Sequence, residues 1–405
     1  MDTITHGIAG ALIAKAAFRG QDMFAAKPVT RARIITWSLM LGAIFLDSDV
    51  FREFFSHNDL LILTWHRSIT HSLVCLPFFA VALAGLTRWF VRWLKWDVPS
   101  FAALTGIYAI GIFSHILMDL ITSFGTIIWS PVKWSRPAWD LIFIIDFTLT
   151  AILLVPQIVA WVYAKEGGLQ RRALASWIVF AVATLGVAAI AIKVGAPVSM
   201  QGILAAIVIL TAVFLLPAIR KSGLRVRPAS WNLAGLLLAL GYIGAAVFAH
   251  QMALRRVSKF SSTLHLNVQS QGALPFPPSL WHWDGLVLTP RGVYELPMNL
   301  SGEPSDAQAA GPGPDVQSSL SYRFYPDAPP NPYIEAAKHL PEVQTVLWFA
   351  RFPVTRFHKE GAEAVVEISD LRFPQIRPDR PASFTYRVRF AADGTVVSQG
   401  WVKPQ

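Results

Sequence analysis

The amino-acid sequence predicts a mostly α-helical protein: a polytopic transmembrane bundle of about seven to eight membrane segments, followed by a C-terminal β-rich extramembrane domain. Three observations carry this reading. Hydrophobic residues fill 54% of the 405 positions and charged residues only 15%, against roughly a quarter charged in soluble domains. The apolar residues gather in runs approaching the ~20 needed to cross a bilayer. Past Leu254 the long runs stop, and turn-forming residues and short β-forming stretches take over.

The apolar runs are Ile34–Val50, Ser68–Val91, Phe101–Ile121, Leu141–Tyr163, Ala173–Ile192, Gln201–Ile219 and Trp231–Leu254, with Ile4–Phe18 a marginal first segment. The opening MDTITHGIAG lacks a basic n-region and a small-residue cleavage site, so no cleaved signal peptide is expected. The single Cys75 excludes a disulfide within the chain and a Cys-based zinc site. Net charge is +10, and up to Leu254 there are 20 Lys/Arg against 11 Asp/Glu. These basic residues sit in short runs between apolar stretches, a pattern of membrane topology and not of a nucleic-acid surface. Fifteen of them (Lys15, Arg19, Lys27, Arg31, Arg33; Arg88, Arg92, Lys95; Lys165, Arg171, Arg172; Arg220, Lys221, Arg225, Arg227) fall in alternate connections. The other connections hold five: Arg52, Arg67, Lys133, Arg136 and Lys193. The positive-inside rule then places both termini outside the cytoplasm.

Pro, Gly, Ser and Gln from Gln269 to Asp315 suggest loops or a linker. Beyond them Leu320–Tyr325, Thr345–Phe357, Ala364–Phe373 and Phe384–Val402 read as strands, the last with an Asp393-Gly394 hairpin turn. The chain divides into a transmembrane metal-site domain (1–254), a loop-rich linker (255–316) and a β-rich extracytoplasmic domain (317–405).

Five of the ten His (His6, His57, His66, His71, His115) lie in the first 115 residues, beside membrane segments. An Asp at a helix centre in a bilayer costs roughly 2.5–3.5 kcal/mol, so ionisable groups there persist by pairing, lining a cavity or binding an ion. His115 and Asp119 are four apart on one apolar helix and share a face. They fit a shared metal or a buried His–Asp hydrogen bond. Asp47 and Asp49 close the second run and can reach one site only where the helix end unwinds; otherwise they are a solvated end. His66 and His71 flank the next run, as ligands or a pH-sensitive cap. The Lys/Arg topology puts all these groups, with His6, near one face. Imidazole with carboxylate and no thiolate suits Zn²⁺, Mn²⁺ or Fe²⁺. His57 reads as a surface residue, and Trp129, Trp134 and Trp139 as interfacial anchors.

MDTITHG, FLDSD (Phe45–Asp49), WHRSITHSL (Trp65–Leu73) and FSHILMDLITSFGTIIWSP (Phe113–Pro131), with Trp139-Asp140 and Ile145-Asp146-Phe147, resemble the bacterial membrane-bound metal-dependent hydrolase family. That family includes the LexA-regulated inner-membrane protein YdjM, and the resemblance spans Met1–Phe147. It is distantly similar to zinc-dependent phospholipase C and P-type nucleases. The resemblance implies an inner-membrane phosphoesterase-like hydrolase with His6, Asp47, His66, His71, His115 and Asp119 as metal ligands and Asp49 as a further one. A later His-x-x-x-Glu is missing, since no His lies between His115 and His250, so one or two ions are expected instead of three. In this reading Asp49 or Asp119 bridges ions or takes the proton of the attacking water, and Arg67 neutralises phosphate or serves as an interfacial anchor. Thr70 and Ser72 supply supporting hydrogen bonds, and Thr122, Ser123 and Gly125 shape the pocket mouth. A site at the outer headgroup level favours a lipid-linked or amphiphilic phosphoester, with membrane lipids as surroundings and no nucleic-acid partner.

Two other classes fit the composition: an ion transporter using the His/Asp cluster as a relay, and a non-catalytic envelope assembly factor presenting its β domain to an extracytoplasmic protein partner. The nearly unbroken apolar runs Ala173–Ile192 and Gln201–Ile219 count against a through-path, and the clustered ligands against a pure scaffold. For the topology, a reporter active only in the cytoplasm, fused after Gln405, is expected to be silent; an active fusion overturns the orientation.

Overall fold

The computed structural model describes residues 1–18, 30–56, 58–193, 198–277, 279–301, 322–373 and 384–402. Helices dominate the first two thirds: α1 (Thr3–Ala17), α2 (Arg31–Ile44), the short α3 (Val50–Phe55) and α4 (Leu61–Thr64), α5 (Leu76–Trp93), α6 (Phe101–Leu120), α7 (Phe147–Val162), α8 (Leu169–Lys193), α9 (Met200–Leu210), α10 (Leu216–Ile219) and α11 (Pro228–Thr263). A 3-10 turn over Phe45–Asp49 joins α2 to α3. Five helical stretches are long and apolar enough to cross a membrane: Arg31–Arg52, Phe101–Leu120, Leu169–Lys193, Met200–Ile219 and Pro228–Thr263.

Of the seven to eight expected segments, five have this length and composition among the described residues. Helix α1 has 15 residues and α7 has 16. The run from Ser68 turns repeatedly before α5 begins at Leu76, and the run from Leu141 becomes helical only at Phe147. Apolar composition there belongs to irregular backbone, which a membrane tolerates only where protein or a cavity covers it.

The chain forms two compact units, the first of Met1–Leu46, Leu73–Met118 and Phe147–Tyr242. Here α1, α2 and α6 approach closely because small residues face each other. A Cβ on Gly10 would stand 2.9 Å from Leu39 O, and one on Gly111 2.7 Å from the same atom. Gly10 is one turn from His6 and Gly111 one turn from His115, so the contacts that seat both helices on α2 also seat both imidazoles. Gln157 on α7 donates to Ile8 O at 3.0 Å. Helices α7 to α10 share a separate apolar core around Val159, Tyr163, Leu210 and Phe214.

The second unit gathers Asp47–Ser72, Asp119–Asp146 and Ile243–Gln405. Two four-stranded antiparallel sheets follow α11. One is β1 (Ser270–Phe276), β2 (His282–Thr289), β3 (Gly292–Asn299) and β4 (Arg323–Pro326) in that order. The chain then forms α12 (Pro332–Lys338) and α13 (Pro341–Phe349). The second sheet is β5 (Pro353–Glu360), β6 (Glu363–Asp370), β7 (Thr385–Phe390) and β8 (Val396–Trp401). Trp283, Val287 and Leu296 pack on Ala253, Val257 and Phe260 of α11. Leu274, Leu286 and Val293 meet Phe352 and Val354.

Two sequence expectations are corrected. The stretch read as loops or linker from Gln269 holds β1 to β3: its glycines and prolines sit at hairpin turns and strand positions that still bury Ala273, Leu286 and Val293. The rest of that stretch, 302–315, lies outside the described residues. The start of the expected strand Thr345–Phe357 is helical, because Val343, Val346 and Phe349 recur every three residues and bury one face of α13 behind a helix-starting Pro341. The Asp393-Gly394 hairpin turn is present, with Gly394 at φ +86°.

Asp284 on β2 lies diagonally across from Glu295 on β3. Burial and the Glu295 charge push its carboxyl up to about 7. Between the ordinary carboxylate range and pH 7 the folded state keeps a proton that the unfolded chain has released, so this group's stabilising contribution is lost as pH rises through about 7. The unfolding midpoint of the detergent-solubilised protein is expected to drop more from pH 5 to pH 8 in wild type than in Asp284→Asn; equal drops would contradict the assignment.

Candidate metal centre

The 3-10 turn after α2 carries Asp47 and Asp49; at three residues per turn, side chains two apart point about 120° from each other, and the two acids meet different partners. Asp49 is 4% exposed and binds the His66–His71 turn. Its Oδ1 accepts from His66 Nδ1 at 3.0 Å. Its Oδ2 accepts from Arg67 N and from Thr70 Oγ1, both at 3.0 Å. Thr70 Oγ1 also lies 2.9 Å from His71 Nδ1. The hydroxyl has one hydrogen and gives it to the carboxylate, so it accepts from His71 Nδ1–H. In the neutral ring this puts the lone pair on Nε2.

His71 Nε2 faces Asp119 Oδ2 at 3.2 Å and Asp47 Oδ1 at 3.8 Å. One turn before Asp119 on α6, His115 directs Nδ1 at Ala43 O, 2.5 Å away, so its Nδ1 carries a proton and in the neutral ring the lone pair is on Nε2. One ligand atom from each of Asp47, His71, His115 and Asp119 lies within 4.8 Å of all the others. Two imidazole nitrogens and two carboxylates this close together call for a cation or protons among them. The donor set suits a divalent ion, and both imidazoles are oriented through their other nitrogen as metal-binding His usually are.

The remaining sequence candidates take defined places. His6 stacks on His115 with centroids 3.6 Å apart and rings 13° from parallel. His66 sits behind His71 with ring centroids 6.1 Å apart, its side chain 17% exposed, against none for His6, His71 and His115. Arg67, held at φ +58°, pairs with Asp119 through Nη2 at 3.0 Å and donates from Nη1 to Thr122 Oγ1 at 3.1 Å. Ser72 donates to Ser130 O. His57 lies outside the described residues.

Sequence reasoning missed Arg136, counted there only as a topological charge. Its buried guanidinium donates to Leu63 O at 2.9 Å and to His66 O at 2.6 Å. Burial, with the charges of Arg67 and Arg372, pulls it down to about 9, so it remains cationic at neutral pH. The readable signal was Gly125. At φ +82° it occupies a conformation suited to glycine, and a Cβ there would stand 2.7 Å from Arg136 Cγ.

Taken together, the apolar helices and the buried His/Asp group define a polytopic membrane protein with a site able to hold a metal ion. Residues 1–195 match the family model described as YdjM inner membrane protein, which covers the candidate centre and stops short of both sheets. No curated protein and no solved structure matches the chain. The match and the apolar helices fit a protein of the inner membrane.

Gly125→Ala, forced into a left-handed conformation against Arg136, is expected to cost about 1–3 kcal/mol. A lowered unfolding midpoint in detergent checks this, and an unchanged midpoint would contradict the tight turn.

Proposed function

We propose that the protein is an integral inner-membrane metal-dependent hydrolase, acting on a phosphoester in a lipid-linked or amphiphilic substrate from a site near the extracytoplasmic face. The observation that carries this reading is the convergence of two imidazole nitrogens and two carboxylates, from His71, His115, Asp47 and Asp119, at one point. The family match over residues 1–195 supports the membrane setting. The similarity to zinc-dependent phospholipases and nucleases, and the outward orientation of the site and of the C-terminal region, belong to the proposal.

These four residues would hold the ion, with zinc the first choice and manganese or iron also suited to the donors. When bound, such an ion polarises a phosphoryl oxygen and acidifies water. The chain's own groups do the rest. Asp49, its oxygens engaged by His66, Arg67 and Thr70, orients the His66–His71 turn. Arg67 holds one oxygen of Asp119 and leaves the other toward His71, and its charge lies beside the place where phosphate would sit. His66, backed by Asp49 at Nδ1 and the most exposed ring of the set, is placed to exchange a proton with solvent at Nε2. His6, stacked on His115, fixes that ring's plane.

Elemental analysis of detergent-purified protein tests the reading. Wild type should carry a stoichiometric divalent metal that His115→Ala and Asp119→Asn lose, while His358→Ala, a change on exposed β5, retains it. Asp119→Asn keeps the shape and removes the charge. Chelation and either ligand variant should each reduce hydrolysis of a phosphoester substrate at least 100-fold. Full occupancy in both ligand variants overturns the centre. Metal lost with no phosphoester cleaved by wild type leaves a metal-binding membrane protein, an ion transporter or an assembly factor.

A further inference from the structure

The loops that carry the centre are tied to the C-terminal part of the chain through a continuous set of contacts, all inside the second unit. Phe124 follows the end of α6, and its ring meets those of Phe349, Phe373 and Phe384 at 5.3, 6.0 and 6.1 Å. Arg136 packs against the adjoining rings of Phe124 and Phe349, with its guanidinium carbon 4.7 and 5.2 Å from the two ring centres. Arg372 stacks on Phe349 at 4.5 Å, donates to Phe349 O at 2.6 Å and to Ser123 O at 3.1 Å, and is neutralised by Asp370 at 2.7 Å. From this packed position Arg136 reaches the carbonyls of Leu63 and His66, the backbone that leads into Arg67 and His71.

We propose that Arg136 is a positioning residue for the metal centre, and that the C-terminal region, by packing Phe349 against Phe124 and Arg136, forms part of the site's supporting structure and not a separable appendage. This inference rests on the metal-binding reading above and adds to it the chain's own means of holding the His66–His71 turn. The physical case is that a guanidinium is planar and presents donors in a fixed fork. Two of them grip carbonyls three residues apart in sequence, and such a grip holds a turn only if the guanidinium itself cannot move. The adjoining rings of Phe124 and Phe349, packed against it, supply that restraint, with a favourable cation–π term. Removing support of this kind typically weakens metal binding 10- to 100-fold without touching a ligand.

The test uses full-length protein in detergent and two readouts. Hydrogen exchange over the segment 61–72 is followed in metal-stripped protein, and Zn²⁺ affinity is measured by competition with a chromophoric chelator. Arg136→Gln is expected to speed exchange across 61–72 and to weaken Zn²⁺ binding about 10- to 100-fold. Arg372→Gln should move both readouts in the same direction by less, and Arg136→Lys should recover part of the loss. Arg387→Gln, which breaks an ion pair with Glu367 on the second sheet, should change neither. Unchanged exchange in Arg136→Gln overturns the proposal whatever the metal does. Faster exchange with wild-type Zn²⁺ affinity also overturns it, since the arginine would then serve structure alone. Wild-type protein that takes up no Zn²⁺ or other divalent metal, with exchange nevertheless dependent on Arg136, overturns the metal reading beneath it. If Arg136→Gln does not fold, Arg136→Lys and Arg372→Gln decide: wild-type values of both readouts in both variants overturn the proposal.

Discussion

The arrangement around the centre answers one demand, that carboxylates withdrawn from water be met by charge or hydrogen bonds. An ion left without partners in such surroundings costs several kcal/mol. Asp49 meets the demand with a ring nitrogen, a backbone amide and a hydroxyl, all from the turn 66–70. Asp119 meets it with Arg67. Because those donors occupy one short turn, satisfying the two acids also fixes where His71 points. Arg67's left-handed backbone belongs to the same solution: its amide serves Asp49, its side chain Asp119, and its carbonyl accepts from Ile127 N at 2.8 Å.

What the acids do not use, the second unit does. Leu63 and Phe124, from the two loops of the centre, belong to the same apolar core as Val366, Tyr386 and Phe390 of the second sheet. Asp140 forms a two-pronged ion pair with Arg351 at 2.9 and 2.8 Å, and Asp59 O accepts from Trp401 at 2.9 Å. The polar geometry near His71 is therefore held by hydrophobic burial several side chains away.

The membrane character and the gathering of His and Asp were legible in the sequence, because both follow from local rules. Ionisable residues within apolar runs stand out by their cost, and the four-residue interval from His115 to Asp119 survives as one turn of α6. Chain segments that obey no period were not legible. Ser68–Cys75 and Leu141–Asp146 belong to apolar runs, yet the first follows a turn pinned by Asp49 and the second is held by Ile121 O and Ser279. Strands β1 to β3 hid behind Pro and Gly because those residues mark turns in a hairpin as readily as in a linker. The importance of Arg136 hid for another reason: one arginine in a loop looks the same whether it faces lipid headgroups or two carbonyls, and only the rings of Phe124 and Phe349 tell these apart.

Arg372 donates to Ser123 O across 249 residues of sequence. On a ribosome adding about 5–20 residues each second, roughly 12–50 s pass between the emergence of these two groups. Through that interval the early helices can enter the bilayer, while Phe124 and Arg136 wait without the surfaces that will cover them. The packing around Phe124 and Arg136 is thereby complete only once Arg372 has been made. A chain released before that point carries the acids and imidazoles of the candidate centre but lacks this packing, so translation itself sets the order in which these contacts form.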